Sequence, residues 1–293
     1  MKLAVSVVLY NPLNDVFDNI KTYADFAECL IVVDNSEIKN SQLIKKIHEF
    51  YLDKLVYIDN KNNLGIATAL NIASDNAISL GYQWLLTMDQ DSRFINFEHY
   101  IQCLLSINNY DGIGIFAANT TRNAIEQLPK TPTCSYEERL IVITSANIIN
   151  LKYFNQVGRF DDGLFIDMVD YDYCLKIHLA KLKILFFKNV FVEHELGEIK
   201  KRKNLLTRKE KYKIEHSYQR AYYIARNYLY MSKKYHNLFP KEFSYLKTIN
   251  IVYVHDVTKI LLYESNKWKK IKAKIIAGIH FLWGKNGRYD LQF

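Results

Sequence analysis

The sequence predicts an α/β chain: a Rossmann-like, mainly parallel sheet with helices on both faces, followed by a helical C-terminal extension. Three observations predict it. Short continuous apolar runs alternate with amphipathic segments through the first half, as expected of strands buried on both faces. Glycine (10) and proline (4) are scarce, which argues against a many-turned all-β fold and against long disordered linkers. From about Lys201 onward the apolar spacing is helical.

Leu3 to Tyr10 is the first apolar run. It is only about eight residues long, rich in valine, and stops at Asn11-Pro12, so a buried strand fits it better than a signal peptide. Cys29 to Val33 and Leu55 to Ile58 give the second and third strands. Leu64, Ala67, Leu70, Ala73, Ala77 and Leu80 are spaced as a helix that Gly81 ends. Trp84 to Met88 gives a fourth strand, and Ile113 to Ala118 and Leu140 to Ile149 read as two more. Asp170 to Ala180 reads as a helix, and Ile184 to Val192 as a strand ending at Glu193-His194. Helices are expected at roughly 205–236, 242–263 and 267–283. The 293 residues suffice for one large domain with an appendage, divided here as 1–200 and 201–293.

The formal net charge of +8 suits an anionic partner: a nucleotide diphosphate, a lipid phosphate, a membrane surface or nucleic acid. The charge is concentrated between Lys200 and Lys274. Cys29, Cys103, Cys134 and Cys174 stand singly, with no CxxC pair, so a zinc knuckle is not expected and the four read as reduced core thiols. No stretch approaches the ~20 apolar residues of a membrane-spanning helix.

In parallel sheets of this kind ligands bind beyond the carboxyl ends of the strands. The residues after the four strands are Asn11, then Asp34-Asn35-Ser36, then Asp59-Asn60-Lys61-Asn62-Asn63, then Asp89-Gln90-Asp91-Ser92. Acids and amides thus gather at every tip. Asp89-Gln90-Asp91 sets two carboxylates one residue apart directly after a buried strand, a way to hold magnesium or manganese. An aspartate-rich turn gives the same pattern. Asp34 could receive hydrogen bonds from a base or ribose, or could cap a turn. Asn63 and Gly65 precede a helix, where backbone N–H groups meet anions or sugar hydroxyls. Asp170 and Asp172 open another helix; Asp170 suits a general base, while both acids also offset the positive helix end. His194 could complete a metal site begun by Asp91, although a lone histidine is often structural. Gly112-Ile113-Gly114-Ile115-Phe116-Ala117 matches GxGxxA but lies inside a strand-like run, which speaks against a dinucleotide site.

In this order the motifs resemble those of family 2 glycosyltransferases, which adopt the GT-A fold, and within them bacterial rhamnosyltransferase-like enzymes. The likeness is carried by Val8-Leu9-Tyr10-Asn11, Val33-Asp34-Asn35-Ser36, Asn63-Leu64-Gly65-Ile66-Ala67 with Asn71, and Trp84 through Ser92. Phe165 through Lys176 and His194-Glu195-Leu196-Gly197 complete it. The resemblance implies that Tyr10, Asn11, Asn63 and Gly65 line a nucleotide-sugar donor, that Asp34 contacts its base and that Asp89 contacts its ribose or sugar. It implies that Asp91 binds Mn2+ or Mg2+, that His194 helps hold the metal or the diphosphate, and that Asp170 is the base of an inverting displacement. Arg226, in Tyr222-Tyr223-Ile224-Ala225-Arg226-Asn227, resembles a family segment near the donor phosphates. Two positions depart: Val169 stands where the family often has Glu, and Lys176 where Arg is usual. The first alters the electrostatic setting of Asp170.

The basic tail pairs lysines with Trp268, Phe281 and Trp283, which suits either an anionic bilayer surface, with a lipid-linked saccharide as acceptor, or an ordinary solvated helix. Its many tyrosines leave packing against a twin open. Nucleic acid is not the expected partner of a transferase of this kind. Two rival readings remain: a nucleotidyltransferase, which needs a glycine-rich loop that VVLYNPLND lacks, and a non-catalytic basic binder of membrane or nucleic acid.

Overall fold

A computed structural model describes residues 1–122, 124–128, 133–194, 199–203 and 210–293, with backbone only at 199–203 and 210–214. The chain divides into two compact units, Met1–Asp161 with Val169–Glu195, and Asp162–Met168 with Leu196–Phe293.

In the first unit the strands are β1 (Leu3–Leu9), β2 (Leu30–Asp34), β3 (Leu55–Asp59), β4 (Trp84–Asp89), β5 (Ser92–Phe94), β6 (Ile113–Thr121), β7 (Tyr136–Glu138), β8 (Asn147–Asn150) and β9 (Lys183–His194). The helices are α1 (Val16–Ala24), α2 (Ser41–Tyr51), α3 (Ile66–Ser79), α4 (Phe97–Leu105), α5 (Phe154–Val157) and α6 (Val169–Leu179). The sheet runs β3-β2-β1-β4-β8-β6-β9-β5, with β7 beside β9. Its first four strands are mutually parallel, β6 is parallel to β9, and β8 runs antiparallel between β4 and β6. This is the expected α/β class.

Burial explains the continuous apolar runs. Every residue of β1 and β2 is buried. Val5, Val7 and Leu9 join Phe17 and Ile20 of α1, Leu43 and Ile47 of α2 and Leu104 of α4 in one cluster. The opposite side of these strands meets α3, whose buried face is Ala67, Ala69, Leu70, Ala73 and Ala77. Small residues there let helix and sheet approach closely. Gly114 lies inside β6, where an added Cβ would sit 2.6 Å from Ile177 Cδ1 of α6. The glycine serves helix–sheet packing, so the GxGxxA match carries no nucleotide loop.

Two sequence expectations in this unit change. The run from Leu140 to Ile149 is a strand only from Asn147, because Ala146 takes φ +67° and turns the chain. Cys103 on α4 and Cys134 form a disulfide, their Cα atoms 5.0 Å apart, so the reading of four reduced thiols holds only for Cys29 and Cys174, both buried. Burial pushes the Cys174 thiol up to about 12.

The second unit opens its C-terminal part with an antiparallel pair, β10 (Ile199–Lys203) and β11 (Glu210–Ile214). The helix expected from 205 therefore begins only at Tyr218. Arg208 and Lys209, like Glu195, Leu196 and Gly197, fall outside the described residues. The helices are α7 (Tyr218–Tyr235), α8 (Pro240–Phe243), α9 (Tyr245–Ile249), a π-helical stretch Asn250–His255, α10 (Asp256–Tyr263) and α11 (Lys267–Leu282). Tyr222, Tyr223, Ala225, Ala273 and Ala277 form its core with Phe165. Among the described residues no helix is long and apolar enough to cross a membrane.

Arg226 anchors this unit. Its side chain is fully buried and donates to Gly287 O at 2.7 Å, Gly163 O at 3.1 Å and Leu164 O at 3.3 Å. It also donates to Asn227 Oδ1 at 3.0 Å, while Asn227 Nδ2 reaches Leu164 O, Ile166 O and Asp167 O within 3.0 Å. Phe165, Asp167 and Met168 all take positive φ, a strained run that the two side chains hold in place. Arg226→Ala leaves buried carbonyls without their charged donor and is expected to lower stability by about 3 kcal/mol or more, read as the thermal midpoint of the variant against the parent.

Candidate active site

The parallel ladders bring the strand tips into one row. Val8 pairs with Asp89, Leu9 with Asp34, and Asp34 with Asp59, so four successive carboxyl ends finish level at one sheet edge. The loops beyond them are stapled together. Tyr10 N donates to Gln90 Oε1 at 2.8 Å and Gln90 Nε2 returns a bond to Tyr10 O at 3.1 Å. Asn11, at φ +46°, donates its N–H to Ser36 Oγ at 2.8 Å. Asn35 Nδ2 donates to Gly65 O, and Asn60 Nδ2 donates to Asn35 Oδ1. Gly65, at φ +87°, donates its N–H to Asn63 Oδ1 at 3.0 Å as α3 begins. Tyr10, Asn11, Asn63 and Gly65 thus belong to one connected rim.

Asp34 sits beneath that rim rather than on it. It is fully buried, and its carboxylate accepts from Ser36 N at 2.9 Å and from the Tyr57 hydroxyl at 2.8 Å. Burial, and then the carboxylate itself, hold the Tyr57 phenol well above its usual range, so Tyr57 stays a hydrogen-bond donor to Asp34.

Asp89, Asp91 and His194 converge, with one ligand atom from each lying within 4.8 Å of the others. His194 comes from the far end of β9, brought home by the pairing of Ser92 with His194 across β5 and β9. Its Nδ1 is 2.7 Å from Ser92 Oγ and 3.3 Å from Asp91 Oδ1. Ser145 Oγ donates to Ser92 Oγ at 2.8 Å and accepts from Asp89 N at 3.2 Å. A hydrogen-bonded line thus runs from the β4 tip through Ser145 and Ser92 to the imidazole. Two carboxylates and an imidazole fit a divalent cation with positions left for substrate oxygens. A partner held by hydroxyls behind a ligating imidazole is the usual way such rings are oriented.

Asp170 and Asp172 lie in the first turn of α6 and are placed differently. Asp170 is half-buried and borders a small cavity with Thr87, Thr144, Asn147 and Tyr173. Thr87 is on β4, two residues before Asp89, and Thr144 precedes Ser145. Asp172 is fully buried against Lys176 Nζ at 2.7 Å, and Lys176 also donates to Gly158 O and Arg159 O. Sequence reasoning missed Ser145, whose Thr-Ser-Ala setting looks like any turn, and gave Ser92 no role of its own. Arg226 is in the second unit, engaged as described above.

Comparison with known proteins bears on the family and the fold. The model of the glycosyl transferase family 2 matches residues 7–104. The dTDP-rhamnosyl transferase RfbF of Shigella flexneri is 27% identical, with 97% of each chain covered. The resemblance to family 2 glycosyltransferases holds. The chain is similar in sequence to rhamnosyltransferase-like glycosyltransferases of family 2, and its fold is GT-A. A crystal structure of GalNAc-T7 with UDP, GalNAc and Mn2+ superposes with a TM-score of 0.60 at 14% identity, covering 97% of this chain and 56% of that one. S. aureus TarS 1–349 in complex with UDP-GlcNAc gives 0.50 at 13% identity, covering 100% and 95%. At such identities the two structures speak for the fold alone.

Proposed function

We propose that this glycosyltransferase inverts the sugar it transfers, using a nucleotide-diphosphate donor, a divalent cation and an acceptor that is a saccharide or a lipid-linked saccharide. dTDP-rhamnose is the leading donor, from the relative in Shigella flexneri. Cell-surface polysaccharide synthesis at the inner face of the membrane is the setting. The chemistry is assigned to residues 1–200, and contact with membrane or a second copy to 201–293. The observation that supports this most is the meeting of Asp89, Asp91 and His194 within 4.8 Å at the sheet edge where Asp34 and Asp59 also end.

Asp89, Asp91 and His194 are the residues that would hold Mn2+ or Mg2+, which supplies positive charge for the departing diphosphate. Asp89 is thereby drawn toward the metal as well as the donor. The rim of Tyr10, Asn11, Asn63 and Gly65, with backbone groups taken up in the staples described above, lines the nucleotide. Asp170 takes the proton of the acceptor hydroxyl as its oxygen bonds to the anomeric carbon and the bond from that carbon to the phosphate oxygen breaks. A single displacement needs one base on the acceptor side, and it inverts the anomeric centre.

The test is a panel of nucleotide sugars, each with Mn2+, scored by thermal shift and by transfer to a lipid-linked saccharide. dTDP-rhamnose is expected to raise the midpoint most, since a ligand of the folded state stabilises it in proportion to its affinity. A product with retained anomeric configuration, or a midpoint that no nucleotide sugar moves, defeats the reading.

A further inference from the structure

We propose that one face of α11 is a docking surface for an anionic lipid leaflet. The proposal gives the membrane setting above a physical location, and it stands apart from the transfer chemistry. Trp268 is 80% exposed, Ile275 55%, Ile279 39%, Leu282 79% and Trp283 69%. Positions 268, 275, 279 and 282 recur at helical spacing, so with Trp283 they form one stripe along α11. Two exposed tryptophans with aliphatic residues between them exceed what a solvated helix leaves open. A face of tryptophan and aliphatic side chains is what a helix lying in a lipid interface buries.

The opposite side of α11 is already used. Ala273 and Ala277 lie in the core of the unit. Lys270 is buried between Glu215 at 2.7 Å and Glu264 at 2.9 Å, and Lys274 is paired with Asp256 at 3.1 Å. The inward lysines are therefore neutralised within the unit, while Lys269, Lys272 and Lys285 are exposed. Lys272 lies within the stripe by helical spacing, and Lys285 is 5.4 Å from the Trp283 ring. α11 contains no Asp or Glu. This charge pattern chooses the occupant. A two-fold pairing of this face with its own copy would bring lysines near lysines with no carboxylate from α11 between them. An anionic leaflet supplies the missing negative charge and takes the apolar stripe into its interface.

Flotation of the full chain with vesicles tests this. Binding is expected to vesicles of phosphatidylglycerol and phosphatidylcholine in equal parts, to weaken with added salt, and to be far weaker on phosphatidylcholine alone. Trp268→Ala with Trp283→Ala is expected to weaken binding at least about tenfold, while the Mn2+ and nucleotide-sugar thermal shifts stay as in the parent. Acyl chains carrying bromine should quench tryptophan fluorescence in the parent. They should not do so in the Trp268→Phe, Trp283→Phe variant, whose remaining Trp84 is buried in the first unit. The proposal is overturned by absent flotation, by flotation without quenching, or by an alanine variant that binds as well as the parent. It is equally overturned if the substitutions turn a dimer into a monomer without changing vesicle binding. A chain that floats but transfers no sugar leaves the surface standing and defeats only the transferase mechanism.

Discussion

Asp91→Asn is expected to lower sugar transfer by about 10²–10³-fold and to abolish the thermal stabilisation that Mn2+ alone gives the parent. The neutral amide keeps the shape of the side chain and removes one of two negative charges at the β4 tip. The departing diphosphate gains several kcal/mol from a bound cation, so losing the cation costs two or three powers of ten. Asp89→Asn should act similarly, because it belongs to the same cluster with ligand atoms within 4.8 Å. Ser92→Ala should cost less, roughly 10–100-fold in metal affinity, since it removes the hydroxyl beside His194 Nδ1 and leaves the three ligands in place. That ranking is the test. Mn2+ titrations followed by thermal midpoint give affinities for each variant independently of turnover. A metal response unchanged in both aspartate variants would remove the cluster from the mechanism.

The parts of this site carried by local pattern are legible in the sequence, and the parts carried by tertiary pairing are not. Asp34, Asp59 and Asp89 could be found because each follows an apolar run that only a strand buried on both faces explains, and the parallel ladders then set them level. His194 could be suspected because it ends a similar run. Ser145 could not. It matters because β8 turns back beside β4, so that Ala146 N meets Thr87 O and the preceding hydroxyl faces Asp89 N. The left-handed Ala146 that makes this turn carries no glycine or asparagine signal. The Cys103–Cys134 bond joins residues 31 apart in sequence, with no local spacing to announce it. β11 lies where lysine-rich sequence offers little apolar period of either kind, so the helix expected from about 205 runs through it. Arg226 shows a different limit: a cation in a segment that resembles the family's invites a phosphate partner, yet its buried guanidinium is engaged by backbone carbonyls of its own unit.

Asp170→Asn and Asp172→Asn, two residues apart on one helix turn, are expected to fail in opposite ways. Asp170 is half-buried and faces the cavity edged by Thr87 and Thr144. Its amide variant should fold as the parent does and keep the thermal shifts given by Mn2+ and by nucleotide sugar. Transfer should fall by about 10²–10⁴-fold, the range a positioned general base contributes. Asp172 is closed from solvent against Lys176. Removing its charge leaves a largely buried ammonium without its counter-ion, which costs about 3–5 kcal/mol of stability. Its variant should show a lowered midpoint and, where folded, near-parent turnover. Measured together, thermal midpoint and single-turnover rate separate the two roles. If Asp170→Asn turned over as fast as the parent while Asp172→Asn did not, the base would have to be reassigned to the buried acid. Lys176 would then be the group that tunes it rather than the one that pins the helix to Gly158 and Arg159.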